Sequence, residues 1–130
     1  MYIGIDFDGT CVTHEYPQVG RDIGAVPILK RLVEKGHKLI LYTMRDGVQL
    51  EDAVNWFNKN GVKLYSVNKN PTQKRWTSSP KIYANLYIDN ASLGVPLNTN
   101  DHEKPFVDWG LVEWYLIRNG ILDFKDQNDI

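Results

Sequence analysis

Asp6 and Asp8 stand two residues apart in Ile5-Asp6-Phe7-Asp8-Gly9-Thr10-Cys11, directly behind the apolar residues Tyr2, Ile3 and Ile5. Side chains alternate along a strand, so an Asp-x-Asp pair where the strand ends converges on one side of the exit, and Gly9 lets the backbone turn away at once. Two carboxylates held this close repel, and a bound cation relieves the repulsion. A plain surface turn is the simplest competing reading, since Asp and Gly dominate turns, but the apolar run before the pair argues for a buried strand. A calcium loop needs Asp or Asn at its fifth position, Gly at its sixth and Glu at its twelfth. Counted from Asp6, Gly9 is fourth and Pro17 twelfth, so that reading fails. A metal-binding Asp-x-Asp of glycosyltransferase type stays open, although 130 residues leave little room for a nucleotide-sugar domain.

The elements that must position this pair follow from apolar periodicity. Tyr2 to Asp6 reads as a first strand, near-continuous and apolar, as suits a strand covered on both faces. A loop with His14, Glu15, Pro17 and Gly20 leads to a helix with Pro27 in its first turn, a stripe of Ile28, Leu29, Leu32 and Val33, and a stop at Gly36. Lys38 to Thr43 is a second buried strand, which completes a right-handed parallel unit. Asp46 and Gln49 resemble a capping box, and Leu50, Ala53, Val54 and Phe57 recur at helical spacing up to Gly61. Val62 to Val67 is a short third strand, Asn68 to Pro80 a loop, and Leu86 to Asp89 a fourth strand running into another acid. Ala91 to Pro105 reads as a polar loop. Asp108 caps a final helix carrying Leu111, Trp114, Tyr115 and Arg118 before Gly120, with Trp109 and Trp114 expected as core or helix-packing residues rather than a base-stacking platform.

Three strand ends thus supply Asp6 with Asp8, Thr43, and Asp89. In an open parallel sheet, ligands sit in the crevice beyond the carboxyl ends of the strands, where strand order reverses, so these residues are expected to meet. Three carboxylates need a cation, and a divalent ion would still leave one negative charge before any anionic substrate arrives. Arg45, just beyond Thr43, is either a substrate contact or a solvated loop charge. His14, Glu15, Tyr16, Arg45 and Trp76 lie on loops expected to face the cleft.

The opening heptapeptide is similar to the first motif of the haloacid dehalogenase (HAD) superfamily, an apolar strand followed by Asp-x-Asp-Gly-Thr or Asp-x-Asp-Gly-Val. The resemblance implies Asp6 as nucleophile toward phosphorus and Asp8 as general acid and base. Ile40-Leu41-Tyr42-Thr43 resembles the second motif, which implies that Thr43 binds the phosphoryl group; Arg45, from its place just beyond, is the candidate for a further phosphate contact. The third motif is one lysine; Lys81, in the segment leading into the fourth strand, matches best, ahead of Lys74 and Lys69. The fourth motif is an acid, often doubled. Here it reads Tyr87-Ile88-Asp89-Asn90, so the first acid is present and the second is Asn.

The implied metal is Mg2+, held by Asp6, Asp8 and Asp89. The implied fold is α/β, three-layered and Rossmann-like, with a mainly parallel sheet and helices on both faces. Neither inter-motif interval is long enough for a cap domain, so the chain resembles the small capless phosphatase-like proteins of bacteria and phages, some of which share a late Asp-Trp-Gly, here Asp108-Trp109-Gly110. The activity implied is hydrolysis of a phosphate monoester through an aspartyl-phosphate. An uncapped site suits a phosphorylated macromolecule end, or a phosphorylated small molecule if a neighbouring subunit of a homo-oligomer closes over it. The rival reading is a non-catalytic phosphate- or protein-binding module that keeps the fold.

Composition sets the wider bounds. An apolar fraction of 42% and a charged fraction of 24% describe an ordinary globular domain, expected to span 1–130 with 121–130 as a fraying tail. A net charge of -1 shows no footprint for nucleic acid. Cys11 is the sole cysteine, which excludes an internal disulfide and fits a reducing compartment. His14, His37 and His102 lack metal-ligand spacing. Asp6 and Asp8 interrupt the N-terminal apolar run, so neither a signal peptide nor a membrane span is expected, and the cytoplasm is the default location.

Overall fold

The computed structural model describes residues 1–100 and 103–124; His102 and the 125–130 part of the expected tail lie outside the described residues. Elements follow in the order β1 (Tyr2–Ile5), α1 (Ala25–Glu34), β2 (Lys38–Leu41), α2 (Gly47–Lys59), β3 (Ser66–Val67), a 3-10 turn (Gln73–Arg75), β4 (Leu86–Ile88), β5 (Leu97–Asn100), β6 (Glu103–Val107) and α3 (Trp109–Arg118). Four strands form a parallel sheet in the order β3-β2-β1-β4. The chain leaves β1 toward β2 on one side and returns as β4 on the other. Strand order therefore reverses between β1 and β4, which opens a crevice at their carboxyl ends.

Alternation along the strands gives the two faces different coverings. Ile3, Ile5, Leu39, Leu41 and Ile88 join one apolar cluster with Ile28, Leu29 and Leu32 of α1, Ala53 and Phe57 of α2, and Val112 and Leu116 of α3. The opposite face presents Tyr2, Gly4, Ile40, Tyr42 and Tyr87. Over it runs the 68–85 segment, whose only helical element is the 3-10 turn. Side chains hold that segment in place of a helix. Asn70 Nδ2 donates to Tyr83 O at 3.0 Å, Gln73 Nε2 to Lys81 O at 2.8 Å, and Tyr83 N to Gln73 Oε1 at 2.8 Å. The Tyr2 ring packs against Tyr65 at 5.7 Å and Tyr83 at 5.8 Å between centroids. The expected α/β arrangement, a parallel sheet flanked by helices in Rossmann-like layers, is thus present, with the second face covered by a 3-10 turn and irregular chain because Pro71 and Pro80 bracket a stretch without helical apolar spacing.

Other departures concern pairing and exposure. The expected polar loop 91–105 contains the antiparallel hairpin β5–β6. Its Val107 N donates to Gly9 O at 3.0 Å, so the hairpin braces the turn after β1. Arg21 clamps its second strand through two bonds to Glu103, both of 2.7 Å. Only Ser66 and Val67 of the expected 62–67 strand enter the ladder. Asp46 stands at the start of α2 without a side-chain capping bond, whereas Asp108 caps α3 by accepting from Leu111 N at 3.2 Å. Trp109 is buried, but Trp114 is 50% exposed, because the buried face of α3 runs through Trp109, Val112 and Leu116.

Gly4 is a packing requirement. A Cβ there would lie 2.9 Å from Tyr87 Cδ1, near the base of a ring that crosses β1 to meet Tyr42 at 6.2 Å. Gly4→Val is expected to destabilise the protein by about 1–3 kcal/mol, read as a lower urea midpoint with an unchanged slope.

Candidate active site

The Asp6 N–H donates to Ile88 O at 3.0 Å, which carries the β1–β4 ladder one residue past the strand and sets Asp6 beside Asp89. Thr10 is fully buried. Its hydroxyl donates to Asp6 Oδ2 at 2.7 Å and accepts from Asn90 N at 2.9 Å, while its carbonyl accepts from Trp109 Nε1 at 2.7 Å. The one hydroxyl hydrogen is spent on Asp6, so Thr10 Oγ1 meets the Asn90 side chain as an acceptor. The Asn90 amide accordingly points its nitrogen inward, donating to Asp6 Oδ2 at 2.9 Å, Asp89 Oδ1 at 3.2 Å and Thr10 Oγ1 at 3.3 Å. One neutral nitrogen therefore sits between two carboxylates, where a second acid would have added charge. Gly9 makes the room: its φ is +77°, and a Cβ would lie 2.5 Å from the other terminal atom of the Asn90 amide, its oxygen in this orientation.

Electrostatics separate the two acids of the opening motif. Burial pushes the Asp6 carboxyl up from 3.8 to about 6, and the charges of Asp89 and Asp8 add to the rise against the hydrogen bonds from Thr10 and the Phe7 backbone. Asp8 has a cation of its own. Arg45 Nε donates to Asp8 Oδ2 and Arg45 Nη2 to Asp8 Oδ1, both at 2.7 Å, with the Arg45 side chain 1% exposed. The remaining Arg45 hydrogens go to Pro17 O and Gln49 O at 3.2 Å and Gln18 O at 2.7 Å. All five N–H groups are committed, so none is left for a phosphoryl oxygen and the expected phosphate contact is replaced by a pairing with Asp8. Burial also pushes the Cys11 thiol well above its usual value, and its Sγ donates to Asp6 O at 3.3 Å, which suits a packing role.

A cleft of about 430 Å³ is lined by Asp6, Asp8, Asp89, Asn90, Thr43, Met44, Arg45, His14 and Tyr16. Thr43 Oγ1 accepts from Arg45 N at 3.1 Å, which leaves its hydroxyl hydrogen free to point into the cleft, and the Met44 N–H has no partner among the described residues. Lys81 stands elsewhere, in a separate hollow of about 290 Å³ with Trp76, Tyr83 and Tyr87. Lys74 lies in the 3-10 turn and Lys69 just beyond β3, both exposed, and Glu15 is exposed on its loop. Thr10 and Asn90 went unassigned as ligands of Asp6 in the sequence. The four-residue separation of Asp6 and Thr10 across a glycine turn is the signal that points to the first.

Mg2+ is held by one or two carboxylates, completed by waters and phosphate oxygens. Asp6 and Asp89 fit that donor set: both face the cleft, and Asp6 is crowded by charge with no cation of its own. Asp8 is the poorer donor, since Arg45 already balances its charge and takes one lone pair on each of its oxygens, and no group of three or more His, Cys, Asp or Glu side chains stands together among the described residues. The raised Asp6 value fixes the sign of a pH effect. Between 3.8 and about 6 the folded state binds more protons than the unfolded one, so this contribution is full below pH 3.8 and lost as pH rises through 6. In metal-free buffer, Asp6→Asn is expected to melt several degrees above wild type at pH 7.5, with the gap closing at pH 4 and narrowed at pH 7.5 by millimolar Mg2+. A gap independent of pH would overturn the burial account.

No protein-family model matches the chain, and no curated protein does. A solved structure described as that of a conserved protein from Bacteroides thetaiotaomicron is similar along nearly the whole length: 36% sequence identity over 92% of this chain and 91% of that one, with a TM-score of 0.74. Identity at that level over both chains goes beyond a shared architecture, and the chain belongs to the same family as that conserved Bacteroides protein.

Proposed function

We propose that the protein is a Mg2+-dependent phosphohydrolase of HAD type, acting on a phosphate monoester. The observation that carries this reading is the meeting of Asp6, Asp89, Asn90, Thr43 and the open Met44 N–H in one cleft at the switch point of a parallel sheet. Asp6 attacks phosphorus through one carboxylate oxygen; the ester P–O bond breaks, and a proton on Asp8 passes to the departing oxygen. Water then attacks the aspartyl-phosphate, Asp8 takes its proton, and the bond from phosphorus to the Asp6 oxygen breaks to release inorganic phosphate. The Thr43 hydroxyl and Met44 N–H donate to phosphoryl oxygens as negative charge builds on them. Asp6 and Asp89 would hold Mg2+, which supplies neutralisation of the carboxylate and phosphoryl charges. Lys81 is the cation for the arriving phosphate. Its ammonium makes no bond among the described residues, and its hollow is lined by Tyr87, whose ring meets that of Tyr42, the residue before Thr43.

The open cleft suits a phosphorylated macromolecule end, or a phosphorylated small molecule if a second subunit closes over it. Among the described residues no helix is long and apolar enough to cross a membrane, and a cytoplasmic setting completes the proposal. One observation favours a non-catalytic binding module instead: among the described residues no lysine lines the cleft itself. Release of phosphate from p-nitrophenyl phosphate separates the two. Turnover is expected to require Mg2+ and to fall by about 1,000-fold or more in a folded Asp6→Asn variant, while Asp8→Asn loses about 100- to 10,000-fold on esters whose leaving group needs a proton. Undiminished activity in Asp6→Asn would remove the nucleophile assignment, and an inactive wild type that still binds phosphate would favour the module.

A further inference from the structure

We infer that Arg45 is the positioning residue for Asp8, and so governs how well the protein cleaves esters with poor leaving groups; this rests on the phosphohydrolase reading above. The Arg45 guanidinium is fixed on every side. Its carbon lies over the Phe7 ring at 5.1 Å from the centroid and over that of Tyr16 at 5.1 Å, so two aromatic faces pack against the guanidinium. Its edges are fixed by the five bonds already described, to Asp8 twice and to the carbonyls of Pro17, Gln18 and Gln49. A two-pronged pairing sets both the direction and the plane of a carboxylate, which a lysine's point charge does not. Each Asp8 oxygen uses one lone pair on Arg45 and keeps another directed away from it. Asp8 lines the cleft, so the proton it exchanges with substrate is carried on those remaining lone pairs. The carbonyls of Pro17 and Gln18 belong to the loop after β1, and that of Gln49 to the first turn of α2. Arg45 therefore holds Asp8 against a frame drawn from two distant parts of the chain.

The consequence is selective. A p-nitrophenolate departs without a proton, whereas phenolate departs far more easily with one. If Arg45 sets the Asp8 geometry, its loss affects phenyl phosphate more than p-nitrophenyl phosphate, two substrates of nearly the same shape. The test is kcat/KM, which reports the first bond-breaking step, measured on both esters for wild type, Asp8→Asn, Arg45→Lys and the double variant. Arg45→Lys is expected to lose about 10-fold more on phenyl phosphate than on p-nitrophenyl phosphate, a part of the full general-acid effect, with no further selective loss when Asp8 is already Asn. Tyr16→Ala, which removes one of the two rings packed on the guanidinium at a surface position, is expected to shift the ratio the same way by a smaller factor, and decides the matter if Arg45→Lys does not fold. Equal losses on both esters in an otherwise active protein overturn the positioning role alone. A wild type inactive on both overturns the phosphohydrolase reading, and this assignment with it.

Discussion

The hydroxyl of Thr10 has one hydrogen to give, and much of the site follows from where it goes. Donated to Asp6, it supplies a charge-assisted bond to a carboxylate that burial has separated from water. It also forces the Asn90 side chain to approach as a donor, which turns a neutral residue into a bridge between Asp6 and Asp89. The Thr10 carbonyl meanwhile takes the indole N–H of Trp109, so the residue that orients the acid is itself held by the start of α3. Central strand, edge strand and final helix are thus joined at one buried residue. Strain elsewhere in the turn is relieved by Gly9, whose missing Cβ is the space that Asn90 occupies.

Two chemically identical side chains, two positions apart, receive opposite treatment. Asp8 is met by a buried guanidinium with planar complementarity, and Asp6 by neutral donors and two neighbouring negative charges. Environments that diverge in this way allow one carboxylate to remain an attacking group while the other handles protons. The division depends on loops rather than on the strand: the guanidinium comes from beyond β2 and is anchored on carbonyls of the β1–α1 connection and of α2. A cleft assembled this way is only as well ordered as the contacts that brace its loops. Those include the β5–β6 hairpin, fastened to Gly9 from the far side.

What the sequence disclosed follows the range of the interaction concerned. The apolar runs at Tyr2–Ile5, Lys38–Leu41 and Leu86–Ile88 and the stripes of α1 and α2 announce themselves, because burial of one face is written locally as a period. From those strands alone, the meeting of Asp6, Thr43 and Asp89 at one edge can be anticipated. The partner of Arg45 cannot, since Asp8 lies 37 residues earlier and nothing near Arg45 distinguishes a paired guanidinium from a solvated one. The direction of the Asn90 amide was equally hidden, being set by a hydrogen on Thr10, 80 residues away. The hairpin escaped notice because backbone pairing and the Arg21–Glu103 clamp hold it, with little apolar alternation to mark it. The covering of the second sheet face escaped for a similar reason: buried Gln73 and Asn70 do there, by hydrogen bonding, what an apolar stripe does in a helix.

The lengths of the strands bear on how such a chain behaves at high concentration. The inner strands β1 and β2 have four residues each, whereas the two that border the sheet, β3 and β4, have two and three. A border strand presents unpaired amide and carbonyl groups to any other chain that can align with it, and that hazard grows with the length of straight backbone on offer. Borders this short give an incoming strand little to register against. Among the described residues, a parallel sheet bordered by strands this short thereby resists edge-to-edge association.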